Sequence, residues 1–186
     1  YERKYGVDGA CNKKKTRIAI KGHPGNMQKG VHYDKTFSAT PQEGSSRILC
    51  ALVVLFSLFR AAFDITKAFC WADLPPGDQI ALEYPEGFKQ YCPKTGSQLF
   101  MILRKNRYGH PAAGRQYGKQ RDSTLLDRFN NSGWSCIRTR MDPCLFRISR
   151  VYDGAEQWLL MLVHVDDCDI AGTTQQIVDD CMDVCK

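Results

Sequence analysis

The sequence has 186 residues, is 43% apolar and 25% charged, and carries a formal net charge of +6. These totals exclude a low-hydrophobicity disordered chain and give enough length for a real core in one large domain or two intertwined lobes. The longest apolar run, residues 48–59, is broken by Ser57 and as a helix reaches only ~18 Å against the ~30 Å of a bilayer core, so no membrane span is expected.

The charge is unevenly distributed. Residues 1–35 hold nine Lys/Arg against three acids, and residues 36–150 hold sixteen against nine. Residues 151–186 reverse the balance, with one Lys against eight acids. A basic body joined to an acidic end suits an enzyme acting on polyphosphate or nucleic acid, in which bases hold phosphates and acids hold cations. Solvated surface charge is the other reading. The nine cysteines form no C-x-x-C pair and several lie within apolar runs, which points to reduced thiols and an intracellular setting. A zinc site using Cys181, Cys185 and a distant ligand is the alternative.

In chain order, residues 1–16 read as a basic, poorly structured lead-in. Residues 16–21 alternate as a strand, with Arg17 and Lys21 on one face and Ile18 and Ile20 on the other. Gly22 to Asn26 breaks it, and residues 31–44 are rich in turn formers. Ser45 or Ser46 is a natural N-cap for a helix over 48–59, apolar nearly all round and therefore expected to be buried between other elements. A short strand over 61–65 carries Asp64 near its end, followed by a turn at 74–77, a strand at 79–83 and a strand at 99–103. A helix is expected from about Arg115 to Phe129, with Tyr117, Leu125, Leu126 and Phe129 on its buried face, then a strand at 144–149 and a hairpin turn at Asp153-Gly154. The run from Trp158 to Val165 reads as a buried strand that stops at two carboxylates, Asp166-Asp167 as a tight turn, the residues to Gly172 as a return strand, and 174–185 as a helix.

Asp64 and Asp166 stand 102 residues apart in similar contexts, each at the end of an apolar strand. In one antiparallel sheet their carboxylates converge and are able to hold two divalent ions for phosphoryl transfer. Mg²⁺ fits such a site, because it accepts one or two carboxylates and takes its other ligands from water and phosphates. The competing reading of Asp166-Asp167 is an ordinary polar turn. The chain contains no Walker loop, no G-x-S-x-G elbow and no metal-ligand spacing among its four His.

Several blocks in order carry a resemblance to a known family. Residues 15–22, K-T-R-I-A-I-K-G, resemble a basic fingers strand, and Tyr33 to Ser38 a D-[YF]-x-x-T-F block. Phe63-Asp-Ile-Thr-Lys-Ala-Phe69 resembles D-V-K-T-A-F, and residues 80–88 resemble I-Y-M-x-x-P-x-G-F. Tyr108-Gly109 with Arg115 resembles Y-G-L-K-Q-A-P-R, Asp142-Pro-Cys-Leu-Phe146 resembles D-P-C-L-[YF], and Val165-Asp-Asp167 the core of Y-V-D-D. Together they resemble the reverse transcriptase of copia-type LTR retrotransposons, from about Lys15 to Gly172.

The resemblance implies an α+β right-hand polymerase of fingers and palm, with an antiparallel palm sheet and packed helices. Residues 1–44 and 75–107 would be mainly fingers, 45–74 and 108–186 mainly palm, and the thumb and RNase H parts would lie beyond residue 186. It implies that Asp64 and Asp166 hold two Mg²⁺ (or Mn²⁺) ions, with Asp167 close by and the Ile65 carbonyl as a further ligand. Phe69 falls at the steric gate that rejects a 2′-hydroxyl. Lys15, Arg17 and Lys21 would grip phosphates, Ala112 and Arg115 would lie in the nucleotide pocket, and His164 and Val165 near the primer. The implied partners are an RNA or DNA template with primer, dNTPs and the other Pol segments, thumb, RNase H and integrase, in a cytoplasmic particle or the nucleus. Two positions depart from the family pattern. Ala112 stands where the family has Gln, and His164 where it has Tyr. The expected function is therefore a templated DNA polymerase. The alternatives are a catalytically silent, domesticated polymerase-like domain that binds nucleic acid or acts as a scaffold, and a metal-dependent nuclease.

Overall fold

The computed structural model describes residues 2–5, 11–15, 18–75 and 80–185, the first two segments as backbone strands only. It is a mixed α/β structure whose sheets are antiparallel throughout.

The lead-in is not structureless. Strand β1 (Glu2–Tyr5) pairs with β2 (Cys11–Lys15), with a bulge at Lys4/Tyr5. The strand expected over 16–21 lies partly outside the described residues, and its remainder, 18–21, is irregular. Ile18 is 65% exposed, so among the described residues the Ile18/Ile20 alternation finds no sheet to face. This segment is instead fastened to a turn far along the chain. The Ile20 amide donates to the Tyr108 carbonyl at 2.7 Å. A Cβ on Gly22 would sit 1.8 Å from the Gly109 carbonyl oxygen, and one on Gly109 (φ +89°) would sit 2.0 Å from the Ile20 carbonyl oxygen. Two backbones cross where only glycine fits, which gives Tyr108-Gly109 a physical reason.

Helix α1 (Glu43–Leu55) starts earlier than its serines suggest, and no side chain at its N-cap, Gln42, caps it. The cap comes from a hundred residues away. Asp142 Oδ2 accepts the Gln42 amide at 2.8 Å, and Gln42 Nε2 donates to the Met141 carbonyl at 3.0 Å. Asp142 Oδ1 also accepts the Cys144 amide at 2.8 Å. Burial alone would push the Asp142 carboxyl up, but hydrogen bonds from Ser45 and from the Cys144 and Gln42 amides leave it below the usual carboxylate range. The expectation of all-round burial for α1 is also corrected. Leu49 is buried, whereas Ile48, Val54 and Leu55 are 57%, 82% and 73% exposed. The helix lies on one sheet face, so only the stripe Leu49, Leu52 and Val53 finds partners, among them Leu162 and Ala171.

Strand β3 (Phe59–Asp64) leads into a 3-10 turn at Ala68–Trp71. Strands β4 (Ile80–Glu83) and β5 (Phe100–Leu103) form a separate hairpin. Helix α2 (Ala113–Asn131) buries Ala113, Tyr117, Arg121, Leu125 and Phe129, a strict four-residue spacing along one face. Strand β6 (Ser135–Arg138) is too short and polar for the sequence to announce. Strands β7 (Leu145–Tyr152) and β8 (Ala155–His164) are joined by Asp153-Gly154, both at positive φ as a type I′ turn requires. Strand β9 (Asp167–Gly172) and helix α3 (Gln175–Cys185) follow. The main sheet has the order β3-β9-β8-β7-β6. One face, including Phe146, Ile148, Leu159, Met161, Val163 and Ile170, packs against Phe129 of α2 and Ile177, Val178 and Cys181 of α3. The opposite face carries α1 through Leu162 and Ala171. Strand β8 is covered on both sides, which explains its uninterrupted apolar run.

Two predictions follow from these constraints. Gly109→Ala should lower unfolding stability in denaturant melts by more than about 2 kcal/mol, because backbone atoms must move. Gly30→Ala, at φ +85° in open space, should cost only the left-handed penalty of about 1–2 kcal/mol. Because the Asp142 carboxyl is depressed in the folded state, its contribution is present above the usual carboxylate pKa of about 3.9 and is lost as pH falls through the lower folded value. Asp142→Asn should therefore flatten the acid limb of a stability–pH curve below about pH 4.

Candidate metal and nucleotide site

The site grows from the β8–β9 hairpin. Burial of Leu159, Met161, Leu162 and Val163 fixes β8 in the sheet, and His164 emerges exposed at its end. His164 and Asp167 are direct cross-strand partners, so Val165 and Asp166 form a two-residue turn. Val165 sits at φ +58°, a conformation that β-branched residues adopt only under constraint from their surroundings.

Strand β3 brings the third acid. In its ladder with β9, Asp64 is the direct partner of Asp167, and the Ile65 amide donates to the Asp166 carbonyl at 2.8 Å. Directly opposed residues place their side chains on the same face, with Cβ atoms about 4.5–5.5 Å apart. Two exposed carboxylates so placed repel one another unless a cation or a proton intervenes. Both line a cleft of about 570 Å³ that also takes in His164 and Asp169 from the sheet and Gln42, Glu43 and Ser46 from the start of α1. Asp166 lies at the tip of the turn and is not part of that lining.

Asp169 is a further acid on the same face, two residues along β9. Its two oxygens accept from Arg60 Nε at 2.8 Å and from the terminal guanidinium nitrogen at 2.5 Å. That hydrogen-bonded ion pair pushes the Arg60 pKa up. Among the described residues neither Asp64 nor Asp167 is in an ion pair. Arg60 thus neutralises Asp169, Arg47 pairs with Glu43, and Asp64 and Asp167 are the two cleft acids left for other partners. Sequence reading passed over both members. The signal was a charge at even spacing from each motif acid in otherwise apolar strands.

Among the described residues no three His, Cys, Asp or Glu side chains are arranged as a complete metal cage. Two opposed carboxylates open to a cleft nevertheless fit an ion such as Mg²⁺, which takes only one or two carboxylates and fills its shell with water and substrate oxygens. They do not suit a soft-metal site, and Cys168 beside them is buried, its thiol pushed up to about 12 mainly by desolvation. The cysteines whose side chains are described, from Cys50 to Cys185, are free thiols.

Beneath the hairpin, half-buried Phe69 packs on Tyr108 at 4.8 Å between ring centroids and edge-on against Tyr117 at 5.8 Å. Ile65 and Val165 pack into the same cluster with Ala68 and Ala72. Burial pushes the Tyr117 phenol up, opposed in part by Arg121. The structure therefore gathers Asp64, Ile65, Phe69 and His164 to Asp167 at one end of the sheet. The other expected residues have these surroundings. Ala112 is buried at the start of α2, and Arg115 donates to the Phe37 carbonyl at 3.3 Å. Lys21 is exposed beside the Gly22–Gly109 crossing. Arg17 and the side chain of Lys15 lie outside the described residues.

No protein-family model matches the chain. No solved structure matches it. It is 30% identical over 184 residues to the retrovirus-related Pol polyprotein from transposon RE1 of Arabidopsis thaliana, and 29% identical over 184 residues to that from transposon RE2 of the same plant. Each match covers 98% of the chain, which spans about 11% of the length of these curated relatives.

Proposed function

Because the chain belongs to the retrovirus-related Pol polyproteins of transposons, of which it matches a short segment, we propose that it is a reverse-transcriptase core of fingers and palm. On this reading it adds dNTPs to a primer 3′ end on an RNA or DNA template. The observation that carries the reading is the in-register opposition of Asp64 and Asp167 at the cleft, with Asp166 tied to the same corner through the Ile65 amide.

Two Mg²⁺ ions, when bound, supply activation of the primer 3′-oxygen and stabilisation of the departing pyrophosphate. The chain's own residues hold and orient. Asp64 and Asp167 offer a carboxylate from each strand, and Asp166 offers a third from the turn. Phe69, wedged between Tyr108 and Tyr117, is braced to exclude a 2′-hydroxyl rather than move aside. The basic body attracts the template–primer through its phosphates, with no sequence reading implied. A second reading, a polymerase-like domain that binds nucleic acid without chemistry, draws on Ala112, whose buried methyl offers a nucleotide no polar contact.

Primer extension by the full natural polypeptide separates these readings. Asp64→Asn and Asp166→Asn should each lower the rate by about a hundredfold or more, the scale expected for loss of charge stabilisation in the transition state. Extension at the wild-type rate by either variant would contradict the site, and a folded wild type without extension or Mn²⁺ binding would favour the silent domain. Phe69→Val should raise ribonucleotide incorporation relative to deoxyribonucleotide, measured as a ratio of kcat/KM values.

A further inference from the structure

Val165 is the strained point of the catalytic corner, and something must hold it there. Its carbonyl accepts a hydrogen bond at 3.3 Å from a terminal nitrogen of Arg121 on α2. Arg121 is 8% exposed, an unusual place for a guanidinium, and lies on the buried face of the helix between Tyr117 and Leu125.

Its surroundings fix its direction. Asp122 Oδ1 accepts from Arg121 Nε at 2.9 Å and from a second terminal nitrogen at 2.7 Å. The other Asp122 oxygen is taken by Arg138 of β6. The guanidinium lies 5.8 Å from the centre of the Tyr117 ring, which packs in the cluster that receives Val165. Asp122 occupies one edge of the fork, leaving the third nitrogen for the turn. A planar donor locked in this way delivers a hydrogen bond in a fixed direction, which a flexible ammonium does not.

We infer that Arg121 is a positioning residue for the acids at the β8–β9 turn. Its buried guanidinium holds the Val165 carbonyl, keeping the strained tip in the conformation that presents Asp166 and Asp167. The inference rests on the reading of Asp64, Asp166 and Asp167 as the metal-holding acids. Arg121 touches neither metal nor substrate and acts through the backbone of Val165. Such support of a metal site characteristically changes metal affinity or activity by about 10–100-fold when removed.

The test is a double-mutant cycle in the full natural polypeptide, reading Mn²⁺ affinity by electron paramagnetic resonance and single-nucleotide extension for kcat and KM. Arg121→Gln should weaken Mn²⁺ binding and lower kcat about 10-fold or more, with nucleotide KM changed less than threefold. Val165→Gly removes the steric objection to positive φ, so in that background Arg121→Gln should cost less than threefold in either readout. A folded Arg121→Gln protein within twofold of wild type overturns the inference. So does an equal loss in both backgrounds, since general packing would then account for it. If Arg121→Gln does not fold, Arg121→Lys decides: it keeps the charge beside Asp122 but not the fork. A loss relieved by Val165→Gly supports the inference, and wild-type behaviour overturns it. Asp166→Asn separates the two levels. Undiminished Mn²⁺ affinity there removes the metal reading itself, whereas a loss there with none in Arg121→Gln removes only the role of Arg121.

Discussion

The register between β3 and β9 is the constraint on which the candidate site depends. It pairs Phe59 with Gly172 at one end and Asp64 with Asp167 at the other, without a bulge. A slip of one residue would turn every side chain of β3 to the other face, sending the Asp64 side chain into the apolar layer and pulling that of Phe63 out of it. The core forbids that slip. Ala61 and Phe63 pack with Cys168 and Ile170 over α2 and α3, whereas Ala62, Asp64, Asp167 and Asp169 line the opposite, open side. The charge pattern of the site is therefore a consequence of hydrophobic alternation on the face behind it.

Around that register the chain spends stability on placement. Two acids face one another with no ion-pair partner among the described residues, a β-branched residue occupies the left-handed region, and a guanidinium is buried. Each is costly alone. They are tolerated because neighbouring elements over-determine the corner. Ile65, just past β3, donates to the Asp166 carbonyl, α2 bonds the Val165 carbonyl through Arg121, and the Arg60–Asp169 pair removes one negative charge from the cleft wall. Asp142 acts at greater range, holding the first turn of α1 where Gln42, Glu43 and Ser46 close the cleft.

What the sequence made legible was whatever repeats with a period or breaks one. The buried strand β8, the Asp153-Gly154 turn, the return strand and most of α2 carry such signals and stand where expected, and the adjacency of β3 and β9 followed from two apolar runs each ending in an acid, although the acid directly opposite Asp64 is Asp167 and not the expected Asp166. Failures came where the answer depends on a distant partner. Helix α1 reads as buried all round because composition cannot reveal that a sheet lies on only one of its sides. Its true start was hidden because the cap is Asp142 rather than a local serine. Residues 18–21 alternate like a strand, yet their fixed contact is a backbone crossing at Gly109. Arg121 and Arg60 were missed because an arginine in sequence looks like surface until its partners are known.

The most direct test of the central claim is anomalous diffraction from crystals of the protein grown with Mn²⁺ and a dNTP. Mn²⁺ should be bonded to a carboxylate oxygen of Asp64 and to one from the Asp166-Asp167 corner, with triphosphate oxygens completing the shell. Clear density for these side chains with no metal between the two strands, or with Mn²⁺ bound only elsewhere, would contradict it.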